Sequence, residues 1–193
     1  MRKILYGNVS QEDFGEIIIG NNSFLFPNQN KLLKANEVTL MNNSWTEIKT
    51  QKDIDFFMDL TGSLHDSCLK ELKYLSGMYV DEESSMQAVN NKRQIHMILQ
   101  SQWEPHTIEI IFDKVSSMNL NPSDENYDGI IMGSHIAIED GNFVWFDSDD
   151  FQSNYNELYN HQFITYIKSE NIKWKICNKH IGKNLFFTSN QIK

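Results

Sequence analysis

His65, Asp66 and Ser67 stand side by side in this chain, and they are the three side-chain types of a hydrolase triad. A triad needs the imidazole between carboxylate and hydroxyl, with both hydrogen bonds closed. In an extended chain successive side chains point to opposite faces. His65 and Ser67 would then share a face while Asp66 points away. No Gly-x-Ser-x-Gly turn surrounds Ser67 to lift its hydroxyl clear of the fold. The spacing favours a local role, in which Asp66 or Ser67 bonds backbone amides where a helix gives way to a strand. The enzymatic alternative is a hydrolase or metal-dependent enzyme in which His65 and Asp66 work with partners distant in sequence.

A second pattern is Asp124-Glu125-Asn126-Tyr127-Asp128-Gly129, with Ile131 two residues on. Oxygen ligands at Asp124, Asn126 and Asp128, followed by a turning glycine, open a calcium loop. The last ligand of such a loop is a bidentate glutamate, and His135 stands there instead. Imidazole suits a hard cation poorly. The flanks read as strands and Pro122 rather than helices, so an acidic turn is the expectation and no metal is assigned.

Asp147-Ser148-Asp149-Asp150 is the third pattern. Carboxylates this close repel one another and favour a cation or a basic partner. With Glu139 and Asp140 nearby, Asp147, Asp149 and Asp150 are the expected partner-binding residues, since single-sign patches steer association. His96, His106, His135, His161 and His180 form no recognised zinc spacing. Cys68 and Cys177 lie in apolar contexts that suit core packing. Trp103, Trp145 and Trp174 sit in strand patterns without a basic surround, so they read as core or sheet packing and not as base-stacking platforms. No glycine-rich phosphate loop is visible, and no cofactor is expected.

The elements that must carry these residues read mainly as strands. Glu16–Gly20, Ser23–Phe26, Glu37–Met41 and Trp45–Ile48 are short β-rich runs. One helix is expected from Thr50, an N-cap with Asp53 at the capping-box position. Ile54, Phe57 and Met58 lie on one face of it, and Gly62 ends it. Ser67–Leu75 fits both periods and is taken as a strand, continued past a bulge through Tyr79-Val80. Arg93–Gln102 and Thr107–Phe112 alternate as half-buried strands. Ile130–Ile138 and Asn142–Phe146 flank Asp140-Gly141, a hairpin signal. Asn156–Tyr166 fits a short helix and Ile172–Cys177 a last strand. Short turns between successive strands imply antiparallel neighbours. The expected class is α+β, one domain over 1–193 with an N-terminal β subregion at 1–49. Its main antiparallel sheet carries a few helices on one face.

The chain has 193 residues, a formal net charge of −9 and a pI near 5.1. That balance repels phosphate backbones and anionic lipid, so neither nucleic acid nor membrane is an expected partner. Arg2-Lys3 is not followed by an apolar run, so no secretory signal is expected. No stretch approaches a membrane span, and two cysteines make no disulfide framework. These features fit a soluble cytoplasmic protein.

Leu64-His65-Asp66-Ser67, then Ile108 to Val115, the hairpin, and Ile172-Lys173-Trp174 together resemble a group of small uncharacterised bacterial proteins with a His-Asp-Ser string. These are of the immunity type found beside contact-dependent or secreted toxins. The likeness covers about the C-terminal two thirds of the chain. It implies a cytosolic, non-enzymatic binder that neutralises a basic toxin, with His65-Asp66-Ser67 as a structural signature. A homo-oligomer joined through sheet edges is a further reading.

Overall fold

Alternating apolar residues, broken by turn residues at short intervals, build most of this molecule. The computed structural model describes 14–19, 22–27, 44–88, 92–126, 128–148 and 164–187. The chain divides into two compact units, Met1–Asn42 and Asn43–Lys193. In the first, β1 (Phe14–Ile19) and β2 (Asn22–Pro27) pair antiparallel, with Ile19 opposite Asn22 and Phe14 opposite Pro27. The strand expected at Glu37–Met41 lies outside the described residues.

The second unit opens with β3 (Thr46–Ile48) and helix α1 (Gln51–Thr61). Thr50 caps α1 as its sequence predicts. The Asp53 amide donates to Thr50 Oγ1 at 3.3 Å, and the Thr50 amide donates to Asp53 Oδ2 at 2.9 Å. Gly62 ends the helix in the left-handed region, at φ 58°. The chain then runs through β4 (Ser67–Leu75), β5 (Tyr79–Val80), β6 (Met86–Gln87), β7 (Gln94–Ser101) and β8 (Thr107–Asn119). It continues through β9 (Ile130–Ile131), β10 (His135–Glu139), β11 (Asn142–Phe146) and β12 (Tyr166–Ile176). The main sheet has the order β10-β11-β12-β8-β7-β4-β9, with every pairing antiparallel. Strand β3 pairs with β12 at Ile172–Trp174, beyond the stretch of β12 that β11 occupies. Mainly antiparallel sheet with little helix is therefore the architecture.

Three expected boundaries shift. Ile130 and Ile131 do not run into the hairpin but form a separate strand against Ser67 and Cys68. The hairpin proper is β10–β11, turning at Asp140 and Gly141, both left-handed as a tight two-residue turn requires. The last strand starts at Tyr166, and residues 156–163 of the expected helix lie outside the described residues. Ser67–Leu75 is a strand, as taken, but the bulge lies inside it. The register against β7 slips between Leu69 and Glu71, leaving Lys70 as the extra residue. Tyr79-Val80 belongs to a separate two-stranded hairpin with Met86-Gln87.

Cross-strand partners share a face, so the register sorts the sheet into two. One face holds Ile95, Met97, Leu99, Ile108, Ile110, Phe112, Ile172, Trp174 and Ile176, all buried. Helix α1 covers part of it, with the Phe57 ring 5.2 Å from that of Trp174. The other face was expected to meet solvent. Instead Ile98, Glu109 and Ile111 are buried there. The residues that follow β12, through a 3-10 turn at Asn178–His180 to Phe187, are bonded to this second face.

Candidate functional site

The His65-Asp66-Ser67 string folds differently from an extended chain. Ser63, Leu64 and Asp66 all adopt left-handed backbone, with φ of 54–57°. This conformation costs a non-glycine residue about 1 kcal/mol or more. It turns the Asp66 side chain back, so that Oδ2 lies 3.2 Å from His65 Nδ1. The opposite-faces expectation for this pair is thus corrected, because the segment is not extended. Trp103 Nε1 donates to the same Oδ2 at 3.1 Å. That indole bond is the main reason the Asp66 carboxyl sits below its ordinary value; partial burial opposes it, and His65 adds to the lowering. Ser67 is the first residue of β4, and its hydroxyl is buried with no hydrogen-bond partner. The string therefore yields an exposed His–Asp pair with an inaccessible serine.

The calcium-like stretch is exposed at Asp124, Asn126, Asp128 and Gly129 and leads into β9. His135, at the position of the missing glutamate, opens β10, and burial lowers its imidazole pKa. Among the described residues no three His, Cys, Asp or Glu side chains are placed to hold a metal ion.

Asp147 follows β11 and is half-buried. It accepts a hydrogen bond from the Thr165 amide at 2.9 Å, while its own amide donates to the Thr165 carbonyl at 3.1 Å. Burial raises its carboxyl pKa against the pull of those bonds. Asp149 and Asp150 lie outside the described residues. Of their acidic neighbours, Glu139 pairs with Lys168 at 2.5 Å.

Two further constellations were not singled out from the sequence. The first is the β5–β6 hairpin. Met78, Tyr79, Val80 and Met86 are 52–74% exposed there, although each is a residue that ordinarily prefers cover. The turn between them is fixed by one carboxylate. Asp81 Oδ1 accepts from the Ser85 and Glu83 amides at 2.8 and 3.1 Å, and Oδ2 accepts from Gln87 Nε2 at 2.7 Å. The Ser85 amide is the largest cause of a lowered Asp81 pKa, followed by Gln87. Glu82 and Glu83 project into solvent at the tip. The result is a braced hairpin with an acidic end, Val80 and Met86 on one face and Tyr79 on the other. The run Gly77-Met78-Tyr79-Val80-Asp81-Glu82-Glu83 carried this signal, but its apolar half resembles any strand.

The second lies on the newly covered face of the sheet. Glu109 is only 4% exposed and sits between a lysine ammonium and an imidazole. Lys175 Nζ, directly across on β12, is 2.8 Å from Oε2, off the angle of a hydrogen bond; His96 Nδ1, diagonal on β7, is 3.6 Å from Oε1. Burial pushes the carboxyl up, but the imidazole and the ammonium outweigh it and hold the pKa below 4.5. Lys175 also lies over the Trp45 ring, 4.4 Å from its centre. The sequence signal was Glu109 itself, a carboxylate inside Thr107–Phe112. It was read as the solvent side of an alternating strand.

No family model matches the chain, and neither a curated protein nor a solved structure is significantly similar to it.

Proposed function

We propose that this chain is a non-enzymatic, cytoplasmic binding protein whose partner is a basic protein. The observation that carries the reading is the β5–β6 hairpin. Tyr and Met are over-represented in the centres of protein interfaces, and a cluster of large exposed apolar side chains on a globular chain supports an interaction surface. Asp81 stiffens the hairpin before any partner arrives, which lowers the ordering entropy that binding must overcome. Glu82 and Glu83, on a chain of net charge −9, favour a cationic partner and speed its approach. Within the immunity-type resemblance, that partner is a toxin encoded beside this chain's gene, held with its basic surface occluded.

The test is calorimetric binding of the purified chain to the protein encoded next door. Tyr79→Ala with Met86→Ala should weaken binding by about 30-fold or more, as loss of a central aromatic anchor does. Glu82→Lys with Glu83→Lys should slow association and flatten its salt dependence. Absence of binding, or binding indifferent to all four substitutions, would end the reading.

One observation favours a second reading, hydrolysis of a small ester or amide by water. The left-handed run at Ser63, Leu64 and Asp66 stores strain where His65 meets Asp66, and such strain gathers at functional sites. Asp66, fixed by Trp103, would orient the His65 imidazole through Nδ1 and leave Nε2 to take a proton from water. Loss of esterase turnover in His65→Ala, with folding intact, is the expected result. Equal turnover in both proteins excludes this role.

A further inference from the structure

We propose that the groove over the polar face of β4 and β7 is a binding site for a peptide that turns there and presents two consecutive aromatic residues. In this structure the chain's own Phe186-Phe187 occupies it. The site is separate from the β5–β6 hairpin and does not depend on it.

The groove begins with the bulge in β4. In an unbroken strand Glu71 would share a face with Leu69, two residues earlier, and so point into the core. The extra residue Lys70 reverses this. Leu69 faces Leu99 on the core side, whereas Glu71 faces Ile98 on the other. Bulges commonly re-aim a side chain in this way. The re-aimed Glu71 carboxylate receives two successive main-chain amides, Phe186 N to Oε1 and Phe187 N to Oε2, the latter at 3.0 Å. Lys70, the bulged residue, donates through Nζ to the Gly182 carbonyl. Gln100 Nε2 donates to the carbonyls of His180 at 2.8 Å and Gly182 at 3.3 Å. Lys70, Glu71 and Gln100 therefore bind main chain alone, two successive amides of the Phe186-Phe187 turn meeting one carboxylate, so these contacts do not read side chains.

Specificity comes from the rings. Phe187 meets the His96 imidazole edge to face at 6.1 Å between centres, and Phe186 meets Phe187 in the same manner at 5.3 Å. Both phenylalanines are half-buried, while Ile181 to Leu185 are exposed. Among the described residues this segment joins no strand ladder. Side-chain bonds and two rings hold it, and a segment so held opens locally without unfolding the sheet. A competing aromatic peptide can then take its place.

The test uses the full chain and the acetylated, amidated peptide of residues 183–187. A tethered segment acts at an effective concentration of about 1 mM, so with an intrinsic Kd of about 0.1 mM it weakens peptide binding in trans about tenfold. The Phe186→Ala, Phe187→Ala chain should therefore bind the peptide about tenfold more tightly than the unaltered chain. Adding Glu71→Ala should abolish that gain, whereas Tyr79→Ala should leave it unchanged. Equal affinity for both chains, or no binding by a folded double variant, overturns the proposal. If the double variant does not fold, amide exchange in the unaltered chain decides. The Phe186 and Phe187 amides should exchange at least about 100-fold faster than those of β7 and β8. Exchange at the global unfolding rate overturns it.

Discussion

Replacing Glu109 by Gln should lower the melting temperature by about 4–8 °C at neutral pH, a loss that disappears in acid. The magnitude follows from three groups. At 2.8 Å the attraction between Glu109 and Lys175 is about 6 kcal/mol with an effective dielectric constant of 20. Burying the carboxylate cancels several kcal/mol of that. Breaking a fully buried pair by removing one partner costs about 3–5 kcal/mol, chiefly because the other charge is stranded. Here the stranded groups have an exit. The Lys175 and His96 side chains remain 20% and 23% exposed, and Lys175 keeps the face of Trp45. The expected net loss is therefore nearer about 2 kcal/mol. In a unit of about 150 residues each kcal/mol moves the melting point by about 2–4 °C.

The pH dependence supplies the stricter check. The folded pKa of Glu109 is depressed below its ordinary 4.5. Such a group adds stability above its unfolded pKa and loses it as pH falls through the folded one. Urea unfolding of Glu109→Gln and the unaltered chain should thus differ at neutral pH, and the gap should close as pH falls through the folded pKa. Glu170→Gln serves as the control. Its pair with Lys114 is 2.7 Å long but 48% exposed on both sides, so water already screens it. The change there should leave the midpoint essentially where it is. An unchanged or higher midpoint for Glu109→Gln, or a gap that persists undiminished in acid, would refute the claim that Lys175 and His96 hold this carboxylate charged.

Two further outcomes follow from local geometry. Iodoacetamide at about pH 8 should alkylate Cys68 alone in the folded chain, and both cysteines in urea, because the thiolate is the reactive form. Cys68 is exposed, whereas burial, with Glu109 adding, pushes the Cys177 thiol up to about 11. Comparable alkylation of Cys177 in the folded state would contradict that burial. Thr50→Ala removes the hydroxyl that receives the Asp53 amide and donates to Asp53 Oδ2 at 2.8 Å. It should cost about 1 kcal/mol, read as a fall in the denaturant midpoint with unchanged slope.

The features legible in the sequence are those set by neighbours a few residues apart. Thr50, Asp53 and Gly62 bracket α1 because a capping box and a left-handed terminator act within a single turn. Asp140-Gly141 places the β10–β11 turn for the same reason. Ser67–Leu75 was ambiguous for a physical cause. A bulge adds one residue to a period of two, so Leu69 and Leu72, three apart as on a helix, lie on one face of a strand. Alternation in β7 and β8 located the strands but misjudged their polar side. A half-buried strand and a strand covered by a distant segment have the same local pattern. Whether His96 meets water depends on Phe187, which no short-range rule connects to it. The His65-Asp66 contact was hidden differently, since left-handed backbone at Leu64 and Asp66 is not what either residue prefers.

These long-range placements share a cause that bears on function. The bulge at Lys70 turns Glu71 toward the second face of the sheet, and Glu71 then receives the amides of Phe186 and Phe187. Phe187 in turn packs on His96, which neighbours the Glu109–Lys175 pair. Cover over this face strengthens the ion pair, because excluding water lowers the local dielectric. The coupling runs in both directions. Removing the Phe186-Phe187 cover should shift the Glu109 pKa, since it relieves the burial that raises that pKa and loosens the ion pair that lowers it, while a peptide bound in trans should reverse the shift. Protonation of Glu109 should then be linked to occupancy of the groove, so that peptide affinity changes with pH as the carboxyl gains its proton. A groove affinity that ignores pH through that range would separate the two features. The charged cluster would then contribute to stability alone, and the peptide groove would stand on Glu71 and the aromatic rings.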